Sequence, residues 1–276
     1  MEKGEIIGKG RAAEVIYWGN NRVLKLFNKN IPSNIIDYQF REDSLIGKIF
    51  PNCPKAFEKI EENGRIGIIY EYIEGITLNE LMGKKITSIG KALRMLAEIH
   101  VEMHKYESMD LDSLKNNFKS IILKINLLDD DQKKEIINDI EKLPDGNAIC
   151  HGDLHPDNII VSKNKLYVID WANVYSGNPN SDVARTYYLI KYGTSPSDED
   201  ILKKSFIHRF LFKAIRSRLA KIYIKHYLKL TNNSIISLKE IKKWDLAIYA
   251  MRLREPVSLE YDNLLKMINN VLKHHK

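Results

Sequence analysis

The chain reads as an α+β protein, with a small five-stranded N-terminal part followed by a larger, mainly helical part. Three observations predict this. The first 75 residues alternate short apolar runs with turn signals, as strands do. From about Ser88 onward apolar residues recur at helical spacing. One compact strand-rich insert, Ala148–Asp170, interrupts the helices and carries polar loop residues between its apolar runs. The 276 residues, 44% apolar and 29% charged, suit a globular chain with a sizeable core and exclude a disordered one.

The elements follow in order. Glu5–Gly8, Ala13–Trp18 and Arg22–Phe27 are β-like, and Asn20-Asn21 suits a tight hairpin turn because Asn tolerates positive φ. Ser33 is the expected N-cap of a helix running to about Phe50. Ala56–Ile60 and Ile66–Ile73 complete the strands, joined by a turn over Glu61–Gly64. Ser88–Tyr106 places Ile89, Leu93, Leu96, Ile99 and Met103 on one helix face. Further helices are expected over Ser113–Leu127, Asp130–Lys142, Ser181–Lys191, Glu199–Lys229, Leu238–Leu253 and Ser258–Lys273. The boundary is placed at Glu74-Gly75, giving domains 1–75 and 76–276.

Charge and apolar pattern exclude several function classes. The net charge is +7, but residues 201–276 carry 17 Lys+Arg against 5 Asp+Glu. Those lysines are spread along helix-like segments with few aromatics among them. They are read as a solvated helical face and not as a nucleic-acid surface. No run of 18 apolar residues exists, so no membrane-spanning helix is expected. The N-terminal MEKGEIIGKG lacks the apolar stretch of a signal peptide, and Cys53 and Cys150 make no disulfide framework. A cytoplasmic location is the expectation; no feature fixes an oligomeric state.

The chemistry concentrates in His151-Gly152-Asp153-Leu154-His155-Pro156-Asp157-Asn158, a polar loop flanked by apolar Ala148–Cys150 and Ile159–Val161. Scaffolded loops of this kind present catalytic groups to a ligand. Twelve residues after Asn158, the apolar Val168-Ile169 ends in Asp170-Trp171. Asp153, Asn158 and Asp170 together offer one proton acceptor and two oxygen ligands for Mg²⁺, the set that phosphoryl transfer needs. A lone histidine would be taken for a satisfied residue at a strand end; in this context His151 reads equally as a supporting group or as a catalytic one. His155 is read as loop-stabilising, and no third ligand joins the two histidines in a zinc pattern.

HGDLHPDN, followed by IDW and then GNPNSDVA, resembles the aminoglycoside phosphotransferase and choline kinase superfamily, a small-molecule branch of the protein-kinase-like fold. The identifiable motifs cover about residues 5–190. The resemblance implies a bilobal fold: an N-lobe, 1–75, that binds the nucleotide, and a C-lobe, 76–276, that holds the catalytic loop, metal site and acceptor. It implies ATP, or GTP in its place, as donor, with Asp153 as catalytic base and Asn158 and Asp170 on Mg²⁺. Gly8 and Gly10 would let backbone approach the phosphates, although a plain hairpin turn has the same look. Lys25, an ammonium inside the apolar strand Val23–Leu26, would contact the phosphates and needs a carboxylate partner. Glu42 is chosen for that role over Asp43, which one residue turns by about 100° around a helix. Glu71 C=O and Ile73 N–H would contact adenine, with Tyr70 behind it. Asp182 would brace the catalytic loop, or simply cap the helix it precedes.

The implied activity is transfer of the γ-phosphoryl group of ATP to a hydroxyl of a small molecule, in the manner of the aminoglycoside enzymes. A metabolite alcohol such as thiamine or choline is the alternative acceptor. A polycationic acceptor would require Glu199, Asp200, Glu255, Glu260 and Asp262 to converge. A protein kinase is disfavoured by the lack of D-F-G and A-P-E. A catalytically inactive nucleotide-binding regulator is the alternative of another class; Lys25, Asp153, Asn158 and Asp170 together count against it.

Overall fold

The computed structural model describes residues 4–194, 206–231, 237–255 and 257–274. Backbone contacts gather the chain into two units, Met1–Ile86 with Pro156–Asn173, and Thr87–His155 with Val174–Lys276. The first unit runs past the boundary expected at Gly75 and takes in the segment after His155.

In the first unit, β1 (Ile6–Lys9), β2 (Ala13–Gly19), β3 (Arg22–Phe27), β4 (Ala56–Glu62) and β5 (Arg65–Glu71) form one antiparallel sheet in the order β1-β2-β3-β5-β4. Asn20 and Asn21 take φ of 49° and 60°, the double left-handed turn that matches strand twist. Helix α1 (Ser33–Ile49) packs on β4 and β5. Its N-cap is Pro32, with no side-chain cap, so Ser33 opens the helix instead of capping it. Alternation along β3 sends Leu24 and Leu26 to a cluster with Ile69, and Phe27 to the one that holds Ile36 of α1.

The segment after Gly75, for which no element was expected, contains β6 (Ile76–Thr77) and α2 (Leu78–Lys84), begun by a reciprocal Thr77–Glu80 capping box. With β7 assigned to Ala148–Cys150 in the second unit, β6 joins β8 (Ile159–Ser162) and β9 (Lys165–Val168) in a three-stranded sheet. Gly75 is required there: a Cβ would lie 2.3 Å from the Val161 carbonyl oxygen.

The second unit is mainly helical. It contains α3 (Ile86–Met103), α4 (Leu114–Ile122), α5 (Asp130–Lys142), α6 (Pro179–Lys191), α7 (Phe206–Thr231), α8 (Leu238–Lys242), α9 (Asp245–Arg252) and α10 (Ser258–His274). β7 pairs antiparallel with β10 (Tyr175–Gly177). The single helix expected over Leu238–Leu253 is two helices, joined where buried Trp244 takes the N-cap position of α9. The expected start of the Glu199–Lys229 helix lies outside the described residues. Among the described residues no helix is long and apolar enough to cross a membrane.

Candidate active site

The first unit gathers the residues expected to handle nucleotide and metal. Lys25 leaves β3 on the face opposite Leu24 and Leu26 and donates to Asp170 Oδ1 at 2.8 Å. The two side chains are 19% and 48% exposed, so this charged pair stands at the surface of its unit. Asp170 has φ of 64°, a left-handed turn that Asp tolerates. Its place is fixed on both sides. Ile169 N–H donates to Asn158 O at 3.0 Å, and Trp171 is buried, its Nε1–H donating to Val168 O at 3.1 Å and its ring edge-on to Phe50.

Asn158 is thereby tied by one backbone hydrogen bond to Ile169, the residue before Asp170. Asn158 and Asp170 offer an amide and a carboxylate oxygen, the hard donors that Mg²⁺ takes, and the open side of Asp170 leaves room for phosphate and water. The donor set fits the metal. At β1, a Cβ on Gly8 would meet only Val15 at 3.4 Å and one on Gly10 the Ala13 carbonyl at 3.5 Å. Neither glycine is demanded by packing within the protein. Tyr72 N–H is spent on Asn21 O, while Ile73 N–H has no backbone acceptor among the described residues.

The contact expected between Lys25 and Glu42 is not the one present. Glu42 is buried and accepts from Arg41 Nε at 2.8 Å. The neighbouring Asp43 receives the Tyr70 hydroxyl and feels the charge of Lys25. The register of α1 turns Asp43, not Glu42, toward Tyr70 on β5. Burial pushes the Asp43 carboxyl up to about 6, and the Asp170 charge adds to this, while Tyr70 and Lys25 oppose it.

The second unit holds the proton-acceptor candidate. Asp153 follows Gly152, whose φ of 75° makes the sharp turn. Its N–H donates to His151 Nδ1 at 3.2 Å. Arg185 Nη2 donates to Asp153 Oδ1 at 2.9 Å, and His155 Nε2 lies 3.8 Å from Oδ2. Burial pushes the Asp153 carboxyl up, but the charges of Arg185, His155 and His151 outweigh it and hold the group below the ordinary carboxylate range.

Beneath this turn, Asp182 of α6 is fully buried. Its Oδ2 accepts His151 N–H at 2.7 Å and its Oδ1 accepts Gly152 N–H at 2.9 Å. His100 and His104 of α3 place Nε2 at 3.1 and 3.4 Å from the same Oδ2. Their Nδ1 atoms meet the hydroxyls of Tyr223 and Tyr227 on α7. A carboxylate only accepts, so each Nε2 carries a proton toward Asp182, and the Nδ1 of His100, whose ring is neutral, accepts from the Tyr223 hydroxyl. Burial raises the Asp182 carboxyl, yet the hydrogen bonds from His100 and His104 hold it well below the ordinary range. Burial, with the His104 charge, lowers His100 to about 4.

Sequence reasoning missed Arg185, Arg252, His100 and His104. Arg185 stands inside the apolar run of α6, and a cation there calls for a partner, the same signal that singled out Lys25. Glu255 and Glu260, weighed as groups that would attract a polycation, are engaged instead. Arg185 and Arg252 both donate to Glu255, and Arg252 holds Glu260 through Nε and Nη2 at 2.7 Å each. Asp262 is exposed, and Glu199 and Asp200 lie outside the described residues.

A kinase-like fold with these motifs defines a class, the kinase-type phosphotransferases. Residues 5–211 match the phosphotransferase enzyme family (APH), and the chain belongs to it. It is similar to a protein of Mycoplasma capricolum subsp. capricolum named "Protein LicA homolog", 24% identical over 253 residues that span 82% of this chain and 98% of that one. An uncharacterized protein of Metamycoplasma hominis is 30% identical over 145 residues, covering 50% of this chain but 28% of the relative. Among solved structures, the apo form of a thermostable mutant of aminoglycoside phosphotransferase APH(4)-Ia superposes with a TM-score of 0.63 at 13% identity, over 98% of this chain and 94% of that one. The streptomycin-ATP-APH(2″)-IIa complex gives 0.54 at 18% identity, over 98% and 90%.

Proposed function

We propose that the protein transfers the γ-phosphoryl group of ATP to a hydroxyl of a small molecule. The observation that carries this is the Lys25–Asp170 contact beside Asn158: one ammonium and two hard oxygen donors on neighbouring backbone, the chemistry a metal-bound polyphosphate requires. ATP is favoured over GTP as donor because several structural neighbours were solved with AMP-PNP, ADP or ATP.

Each residue then has a role. Lys25 binds phosphate oxygens, with Asp43 taking the place first given to Glu42. Gly8 and Gly10 let backbone N–H groups approach the phosphates, and Glu71 C=O and Ile73 N–H take the base. Asn158 and Asp170 hold Mg²⁺, which when bound offsets the charge of the phosphate oxygens. Asp153 accepts the proton of the acceptor hydroxyl as its oxygen bonds to the γ-phosphorus. The bond from that phosphorus to the β–γ bridging oxygen breaks, and ADP leaves with that electron pair. His151 and Asp182 hold the backbone from which Asp153 projects.

Aminoglycosides are one acceptor class, since neighbouring structures hold hygromycin B or streptomycin. The engagement of Glu255 and Glu260 by arginines favours the second reading, a less cationic metabolite alcohol such as thiamine or choline. A coupled ADP-release screen with aminoglycosides, thiamine and choline tests both. Acceptor-dependent ADP release supports phosphotransfer. ATP binding without turnover on any alcohol or on water would leave a nucleotide-binding regulator as the better account.

A further inference from the structure

We infer that Arg185 is a positioning residue for Asp153, held in place from its far side by Glu255. This rests on the phosphotransfer reading, in which Asp153 is the base.

The geometry is specific. Arg185 is 5% exposed, and one of its nitrogens, Nη2, serves two carboxylates. It donates to Asp153 Oδ1 at 2.9 Å and to Glu255 Oε1. Glu255 is bonded in turn to Arg252, and Arg252 to Glu260. Glu260 accepts from Tyr188 at 3.0 Å and from the backbone and hydroxyl of Thr194 at 2.6 and 2.9 Å. Alternating charges therefore run from the catalytic-loop carboxylate to α10, and every link is a charge-assisted hydrogen bond, the stronger kind.

Two features distinguish this arginine from a purely structural one. Its Nη1 is buried and has no hydrogen-bond partner among the described residues. An unmet buried donor costs stability, so the guanidinium is not placed where it satisfies its own fork best. And the carboxylate it grips, Asp153, stays 26% exposed, with His155 3.8 Å from Oδ2. One carboxylate oxygen is thus fixed by Arg185 while the side chain remains open to an acceptor. The guanidinium holds both the direction and the ionised form of that carboxylate, and a lysine in its place would carry its charge on a shorter side chain without the planar group that fixes the direction. Glu255 draws Arg185 from the other side, so its loss would loosen Asp153 without touching it.

The experiment measures ADP release, with the panel acceptors and with water alone, for Arg185→Ala, Arg185→Lys, Glu255→Gln and Asp153→Asn. For Arg185→Ala the expectation is a fall in kcat of about 10²-fold, the scale of a misplaced catalytic group, with KM for ATP unchanged. Added guanidinium at non-denaturing concentration should restore part of the rate to Arg185→Ala and none to Asp153→Asn. Glu255→Gln should lower kcat about threefold, and the Arg185→Ala/Glu255→Gln pair should be no worse than Arg185→Ala alone, because both act through one contact. Wild-type kcat in Arg185→Ala, or a loss confined to KM for ATP, would overturn the inference. Should Arg185→Ala fail to fold, Arg185→Lys and Glu255→Gln decide: wild-type kcat in both overturns it. Full activity in Asp153→Asn would instead remove the base, and with it the phosphotransfer mechanism on which this rests. An inactive Asp153→Asn beside a fully active Arg185→Ala would sink this inference alone.

Discussion

Lys25 and Asp170 in the first unit meet through one hydrogen bond at a surface where Asp170 is half exposed. Asp182 in the second is fully buried, with two backbone N–H groups and two imidazoles on its carboxylate and two tyrosines behind those. One centre can exchange its partner for phosphate or metal at little cost. The other cannot move without leaving several polar groups unpaired in low dielectric, where that is expensive. The contrast suits the proposed division of labour, in which the first unit takes up a ligand that comes and goes and the second holds a base still.

The largest effect should come from the base itself. Asp153→Asn is expected to lower turnover about 10²–10⁴-fold, with the affinity for ATP changed less than twofold; near-normal turnover would take Asp153 out of the mechanism. Asp182→Ala should act on folding. Removing it strips the acceptor from His151 N–H and Gly152 N–H and from two histidines, at a cost of about 3–5 kcal/mol by chemical denaturation. Lys25→Ala should cost less than about 1 kcal/mol, as partly exposed ion pairs do, while raising KM for ATP or lowering kcat. Equal stability losses for the two substitutions would erase the contrast between the centres.

Much of the frame was legible because it is local. Arg22–Phe27 and Asp130–Lys142 match their expected bounds, since alternation, capping residues and turn asparagines act over a few positions. The T-x-x-E signal at Thr77–Glu80 was also local and would have found α2. The resemblance pointed to Asp182 as a brace of the loop after His151, but the partners that hold Asp182 in place were not legible. Asp182 lies 82 residues from His100 and 31 from His151, and Tyr223 lies 123 from His100, so no spacing rule links them. Choosing between Glu42 and Asp43 failed for another reason. Neighbouring carboxylates on one helix differ only in rotation, which the packing of α1 on the sheet decides.

A smaller effect sharpens the contrast through pH. His100 is neutral in the folded protein down to about pH 4 because burial opposes its charge, whereas in the unfolded chain it titrates near 6.5. The unfolded state therefore binds the proton first. Stability is fully present above pH 6.5 and falls as pH drops through 6.5 toward 4, by about 2–3 kcal/mol. Denaturation of His100→Asn across this range should show a flatter profile; an unchanged slope would assign the acid sensitivity elsewhere.

The central claim is that nucleotide and metal belong to the first unit and proton transfer to the second. Calorimetric titration of Mg-ATP into Asp170→Asn and Asp153→Asn tests it most directly. Asp170→Asn takes a charged ligand from the metal and an ion-pair partner from Lys25, and should weaken binding about tenfold, the equivalent of one charge-assisted hydrogen bond. Asp153→Asn should bind Mg-ATP as the wild type does. Equal affinities for the two variants, or the greater loss in Asp153→Asn, would contradict the division.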